Sequence, residues 1–311
     1  MIGPSWLVED MLRVEQLLLA TAGSSDVPLV GEASTHLIKA GGKRLRPALV
    51  MISSRAGAPG SRATDLAAAA IELVHLATLY HDDVIDETDT RRGAPTVHSK
   101  WGLEVAVLAG DYLFAKGCVL AAEAGGEVTD ILSRAIAEVC EGQIVETTAV
   151  GDPRRAPDEY RRTIELKTAA LFGAAGELGP ATSGAPELRE PLRVYGRNLG
   201  LAFQIVDDLL DLVGDPEVTG KVPGTDLKEG VFTLPVLIAA EREPLLVERI
   251  AAGSRDLAEL LPLLRSSGAI DAALAEARAH VAAALKALEP LADCDWTEAL
   301  RTIPEGVLAQ L

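Results

Sequence analysis

Residues 61–86 read SRATDLAAAAIELVHLATLYHDDVID, and this stretch decides the fold. Ser61 or Thr64 can cap a helix here. From there Ala67, Ile71, Val74 and Leu79 lead on to Ile85 at helical spacing. The middle is apolar nearly all the way round, which marks a helix buried inside a bundle. Similar runs cover 103–123, 130–147, 158–178, 188–213, 234–250, 255–264 and 270–288. Breaks are expected at Gly93-Ala94-Pro95, Gly151-Asp152-Pro153, Gly179-Pro180, Gly214-Asp215-Pro216 and Pro223-Gly224. Few stretches alternate with period two, and aromatics are only 4%. The reading is an all-α fold: a single-domain helical bundle over residues 1–311, with no interdomain linker and no repeat.

Composition narrows the function. The chain has 311 residues, 46 acidic and 29 basic side chains and a formal charge of −17. A nucleic-acid binder would need a basic face, so that class is disfavoured. Apolar residues reach 48%, so the chain is not disordered. The longest stretches without a charge, Gln16 to Ser25 and Val231 to Ala240, are far shorter than the roughly 20 apolar residues of a membrane span. No transmembrane segment is therefore expected. Residues 1–15 carry Glu9, Asp10 and Glu15 and no basic cluster, unlike a signal peptide. Cys118, Cys140 and Cys294 are odd in number and far apart. They suggest neither disulfides nor zinc, and fit a cytoplasmic protein.

Two aspartate clusters carry the chemistry. Asp82-Asp83-Val84-Ile85-Asp86 and Asp207-Asp208-Leu209-Leu210-Asp211 share the form DDxxD. With 20 aspartates in the chain, about 0.08 such patterns are expected by chance if positions are independent. On a helix, Asp82 stacks over Asp86 and Asp207 over Asp211. Like charges so placed repel, and the apolar flanks add a desolvation cost. Such sets suit Mg²⁺, which takes oxygen ligands and keeps waters and substrate phosphates in its shell. Two solvated acidic turns are the bland alternative, and flanks this apolar argue against it.

The basic residues point to the ligand. Gly41-Gly42-Lys43-Arg44-Leu45-Arg46-Pro47 puts cations on a glycine turn before a helix that Pro47 can start, an anion-binding arrangement. The spacing is not that of a Walker A loop. Arg91-Arg92-Gly93 follows the first cluster, Lys167-Thr168 lies mid-chain, and Lys221 follows the second cluster. Singly, each is more simply a surface charge. As a set in an acidic protein, they suggest a diphosphate held by metal on one side and by Arg and Lys on the other.

With GGKRLRP, ELVHLATLYHDDVIDETDTRRG, AGDYL, ELKTAALF, GLAFQIVDDLLD and GKVPGTDLKEGVFTLP in this order, the chain resembles the trans-prenyltransferase (polyprenyl diphosphate synthase) family from Gly41 to about Pro235. The resemblance implies an isoprenoid-synthase fold, usually a homodimer, with the two clusters facing across a deep central cavity. It implies a prenyltransferase joining isopentenyl diphosphate to an allylic diphosphate. Asp82, Asp83, Asp86, Asp207, Asp208 and Asp211 would hold three Mg²⁺ ions on the allylic diphosphate, and with Lys167 form the catalytic set. Arg91, Lys167, Thr168, Gln204 and Lys221 would also hold that diphosphate. Lys43, Arg46, His75 and Arg92 would hold isopentenyl diphosphate. His75 lies two helical turns before Asp82, on the same face; alone it would be a core histidine.

One position departs from the pattern: Val231 stands where many relatives carry lysine, with Lys228 as a substitute. Product length is read from the tail's path before Asp82. Ala77 and Thr78 leave that path open, where short-chain relatives place an aromatic residue, and Val74, one turn deeper, is of modest size. The expectation is a C30–C50 polyprenyl diphosphate made by head-to-tail 1′-4 condensation. Phe114 could stop growth earlier, giving a geranylgeranyl or farnesylgeranyl diphosphate synthase, and plain helix packing is the other reading of Ala77. A non-catalytic subunit of a heteromeric synthase is the competing reading, although such subunits usually lose one cluster. A terpene cyclase typically keeps only one.

Overall fold

The computed structural model describes residues 4–215 and 223–311, and nearly all of their regular structure is helical. Helices α1 (Ser5–Ala22), α2 (Pro28–Lys39), α3 (Leu45–Ser53) and α4 (Arg62–Ile85) come first. A hairpin of β1 (Thr90–Arg91) and β2 (Ala94–Pro95) leads to α5 (Val97–Trp101), α6 (Leu103–Ala124) and α7 (Gly126–Ala149). Then come α8 (Pro157–Ile164), a π-helical turn (Glu165–Ala169), α9 (Ala170–Ser183) and α10 (Arg189–Val213). After 216–222 follow α11 (Thr225–Glu229), α12 (Leu234–Arg242), α13 (Pro244–Ala251), α14 (Leu257–Ser266), α15 (Ala269–Ala287) and α16 (Asp295–Leu308).

The chain groups into two compact units. The first comprises residues 1–136 and 174–193, and the second 137–173 and 194–311. In the first, α4 lies against α1, α3 and α6. Its residues from Leu66 to Val74 are fully buried, as expected for a helix apolar on every side. Ser61 is its cap: the hydroxyl accepts from the Thr64 N–H at 3.1 Å. Tyr80 on α4 donates its hydroxyl to the Ala33 carbonyl of α2 at 2.6 Å. In the second unit, Tyr195 on α10 donates in the same way to the Leu300 carbonyl of α16 at 2.6 Å.

Three expected boundaries change. Gly179-Pro180 does not end a helix; α9 runs through to Ser183 with Pro180 inside. Proline forfeits its own helical hydrogen bond, and the helix continues for only one further turn beyond it. The run 234–250 is two helices, because Pro244 starts α13 and leaves Glu243 extended. The third change is at 158–178, where the π-helical turn interrupts an otherwise continuous run. Beyond these, the break at Gly93 is a hairpin turn. Arg92 and Gly93 both have positive φ (54° and 75°), the type I′ geometry that suits a two-residue loop.

Helices α4 and α6 are each long and apolar enough to match a membrane span by length and composition. A span tolerates a few charges, so short charge-free runs do not by themselves exclude either helix. In α4 most of that surface is buried in the core, whereas α6 exposes Leu103, Leu108 and Val119.

Candidate functional site

Both aspartate clusters lie at helix C-termini. Asp82 and Asp83 are in the last turn of α4, and Asp86 is its C-cap, with its N–H still bonded to the Asp82 carbonyl at 2.8 Å. Asp207, Asp208 and Asp211 occupy the last two turns of α10. The negative end of the helix dipole makes carboxylates unfavourable there, so each position calls for a cation. Asp83, Asp208 and Asp211 are buried, while Asp82 and Asp207 are half-buried and Asp86 is exposed.

In the first unit, Arg91 Nε donates to Asp83 Oδ1. Asp83 Oδ2 is buried without a hydrogen-bond partner among the described residues. Burial pushes the Asp83 carboxyl above its usual pKa, and Arg91 opposes that shift. Arg91 therefore neutralises one oxygen and leaves the other for an incoming cation. An orphaned anionic oxygen at this place fits a divalent metal.

A second group of charges surrounds the GGKRLRP turn. Arg44, with φ +51°, is buried and bonds Glu15 of α1 through two nitrogens at 3.0 Å each. It also reaches Glu72 Oε1 on α4 at 3.2 Å and the carbonyls of Ile38 and Gly41. Arg92 donates to the Leu37 and Gly41 carbonyls, so the hairpin and the glycine turn are joined. Burial first, with Arg92 nearby, pushes Arg46 down to about 10, against the pull of Glu72. His75, half-buried, is depressed by burial and then by Arg46, Arg92, Arg91 and Arg44, so its ring is neutral at pH 7. The structure thus gathers Arg46, His75 and Arg92 as the sequence suggested, with Lys43 exposed on the same turn. Sequence reasoning missed Arg44 as the strut of the turn and Glu72 as the buried counter-charge. The available signal was Glu72 in an apolar helix, one turn before His75.

In the second unit the π-helical turn presents Lys167 and Thr168, an irregularity that often accompanies functional sites. Lys167 Nζ pairs with Glu146 of α7. The close approach depends on Gly142: a Cβ there would lie 2.5 Å from the Lys167 backbone nitrogen. Thr168 Oγ1 donates to Gln204 Oε1 at 2.8 Å, and Gln204 Nε2 donates to Asp208 Oδ1 at 2.9 Å. The Tyr160 hydroxyl donates to Asp208 Oδ2. Burial, and then Asp208, hold that hydroxyl well above its usual pKa, so it stays a donor. Asp208 itself is pushed up to about 7, mainly by burial. The N–H groups of Thr225 and Asp226 donate to Asp211 Oδ1 and Oδ2 at 3.1 and 3.2 Å. Burial, then Asp208, Asp211 and Asp207, push Asp226 up to about 8. Glu146, Tyr160 and Asp226 were not anticipated, because each owes its place to a partner distant in sequence.

Lys221 lies outside the described residues. Lys228 is exposed on α11, and the Val231 N–H donates to the Asp226 carbonyl at 2.8 Å. Val74 and Ala77 are buried, and Val74 packs where Gly117 of α6 leaves room. Thr78 is half-buried, with its hydroxyl on the His75 carbonyl, and Phe114 is half-buried too. Among the described residues, no three His, Cys, Asp or Glu side chains converge as a ready-made metal cage.

A chain whose described residues are nearly all helical, with two helix-terminal aspartate clusters and an arginine-rich turn, belongs to the class of aspartate-rich prenyltransferases. The polyprenyl synthetase family model matches residues 27–260, and the chain belongs to that family. It is 40% identical over 264 residues to a nonaprenyl diphosphate synthase of Mycobacterium tuberculosis, covering 82% of this chain and 78% of that one. Among solved structures, a decaprenyl diphosphate synthase from Rhodobacter capsulatus superposes with TM-score 0.92 at 38% identity, covering 98% and 97% of the two chains. A polyprenyl synthase from Caulobacter crescentus, solved with calcium and isoprenyl diphosphate, gives 0.91 at 38% identity, covering 97% and 95%.

Proposed function

We propose that the chain, acting as one polyprenyl synthetase domain over residues 1–311, joins isopentenyl diphosphate head-to-tail to an allylic diphosphate. The product is a long all-trans polyprenyl diphosphate in the C30–C50 range. The observation that carries this reading is the pair of partly buried carboxylate clusters at the C-termini of α4 and α10, the first paired with Arg91 and the second held by Gln204 and Thr168. Three Mg²⁺ ions held by Asp82, Asp83, Asp86, Asp207, Asp208 and Asp211 would neutralise the leaving diphosphate. Mg²⁺ commonly completes its shell with waters and substrate phosphate, so its binding here does not require a ready-made cage of protein ligands.

Arg91, Lys167, Thr168 and Gln204 bind and orient the allylic diphosphate, with Lys221 added from the sequence pattern. Arg91 exchanges Asp83 for phosphate, and Lys167 exchanges Glu146, as the substrate arrives. Lys43, Arg46, Arg92 and neutral His75 hold isopentenyl diphosphate. The allylic C–O bond breaks, the isopentenyl double bond attacks the allylic carbon, and a proton leaves with the released diphosphate. No protein nucleophile is needed, and apolar side chains keep water from the cation.

The protein is read as a homodimer, a reading supported by the exposed apolar side chains on α6, and as cytoplasmic, a reading that rests on the sequence pattern alone. Purified protein with Mg²⁺, isopentenyl diphosphate and farnesyl diphosphate should give a ladder ending at one long product by mass spectrometry. Absence of elongation, with EDTA-sensitive diphosphate binding retained, would favour a subunit that lacks its partner.

A further inference from the structure

Tyr160 belongs to no motif in the sequence. It is buried on α8, and its hydroxyl goes to Asp208 Oδ2. The other oxygen of the same carboxylate receives Gln204 Nε2 at 2.9 Å, and Gln204 is held in turn by Thr168 at 2.8 Å. A carboxylate with one donor on each oxygen has a fixed rotamer, yet keeps lone pairs free on both oxygens. Tyr160 lies on α8 just before the π-helical turn and Thr168 lies within it, next to Lys167, and both reach the last turns of α10. One clamp therefore sets the orientation of Asp208 and the placement of Lys167. Packing alone would be satisfied by phenylalanine. The buried Tyr80 and Tyr195 hydroxyls go to backbone carbonyls, a purely structural use, whereas that of Tyr160 goes to a carboxylate of the acidic cluster.

We propose that Tyr160 is a positioning residue that holds Asp208 in the rotamer that takes a divalent cation together with the allylic diphosphate. This rests on the function proposed above. Partners that orient metal-binding side chains typically change metal affinity 10–100-fold when removed, as order of magnitude.

The test compares wild type with Tyr160→Phe at fixed pH. It reads the Mg²⁺ concentration for half-maximal elongation, the KM of each substrate and the melting curve. It also reads Mn²⁺ binding in the presence of inorganic diphosphate, by electron paramagnetic resonance. The expected result is a roughly tenfold rise in the Mg²⁺ requirement and a matching loss of Mn²⁺ affinity. The KM for the allylic substrate rises, that for isopentenyl diphosphate stays unchanged, and melting shifts by only a few degrees. Unchanged Mg²⁺ and Mn²⁺ responses would overturn the proposal. Failure of the variant to fold would also overturn it, because the hydroxyl would then belong to the fold. If wild type binds Mn²⁺ and diphosphate but never elongates, the synthase reading fails, while weaker Mn²⁺ binding by the variant would still support the role of Tyr160.

Discussion

At the scale of single residues, the site is built from charges that the fold alone would avoid. Asp226 illustrates this. With its folded pKa raised to about 8, the native state holds a proton that the unfolded chain, with an ordinary carboxylate, releases near pH 4. The cation-free protein should therefore lose stability as pH rises from about 4 to 8. Asp226→Asn should melt higher than wild type at pH 8, by about 2–4 °C per kcal/mol recovered, and no higher at pH 4. Calorimetry in EDTA at both pH values checks this, and a rise that is equal at both would sink it. Arg44 is the opposite case, a cation whose loss strands an anion. Arg44→Met leaves Glu72 buried without its partner, which should cost about 3–5 kcal/mol. Urea unfolding measures this, and a cost below about 1 kcal/mol would mean that Arg46 and Arg92 already compensate Glu72. Asp83, Asp208 and Arg46 stood out by type and spacing, whereas His75 entered only through the family resemblance. Glu72, Glu146 and Tyr160 were not, because a sequence shows which side chains are present but not which distant partner each meets.

At the scale of elements, the helical class was legible because α4, α6 and α10 are long and strongly apolar on their packed faces. The boundaries were less so. Pro180 and Pro244 look alike in sequence, yet one rides inside the last turn of α9 and the other starts α13. What separates them is the residue before: Glu243 is extended, so Pro244 opens a new helix, whereas the chain leading into Pro180 stays helical. The π-helical turn was illegible because tertiary contacts select it: α7 approaches it over Gly142, and α10 over Gly200. A Cβ on Gly200 would stand 2.8 Å from the Ala169 Cα. Gly200→Ala should therefore cost about 1–3 kcal/mol, as overpacking typically does. It should also raise the KM for the allylic substrate, since the turn carries Lys167. A stable variant with normal KM would mean the turn does not need this approach. On α4, Ala77 bears the prediction on product length. If the growing tail passes Ala77, then Ala77→Phe should end the ladder several isoprene units early, one unit being comparable to the 5.4 Å rise of a helical turn. An unchanged product by mass spectrometry would assign Ala77 to packing, which its burial also fits.

At the scale of the whole molecule, net charge and apolar surface make opposing demands. Each chain carries −17, so two copies repel as they approach. A homodimer then needs a contact with few charges, and the outer positions of α6 provide one. Leu103, Val107, Leu108 and Val119 are all exposed on that helix, more large apolar surface than a solvated helix ordinarily shows. If α6 forms the contact, repulsion between the rest of the two chains weakens the dimer at low salt. Added salt screens it, since the Debye length falls from about 30 Å at 0.01 M to about 8 Å at 0.15 M. The dimer should therefore tighten as salt rises, opposite to an interface held by ion pairs. Leu108→Glu, which puts a charge on the most exposed of these side chains, should produce monomers whose melting curve, read well below the wild-type dissociation range, matches that of the wild-type chain. Sedimentation at both salt concentrations decides the matter. A dimer that loosens with salt, or that survives Leu108→Glu unchanged, would move the contact away from α6.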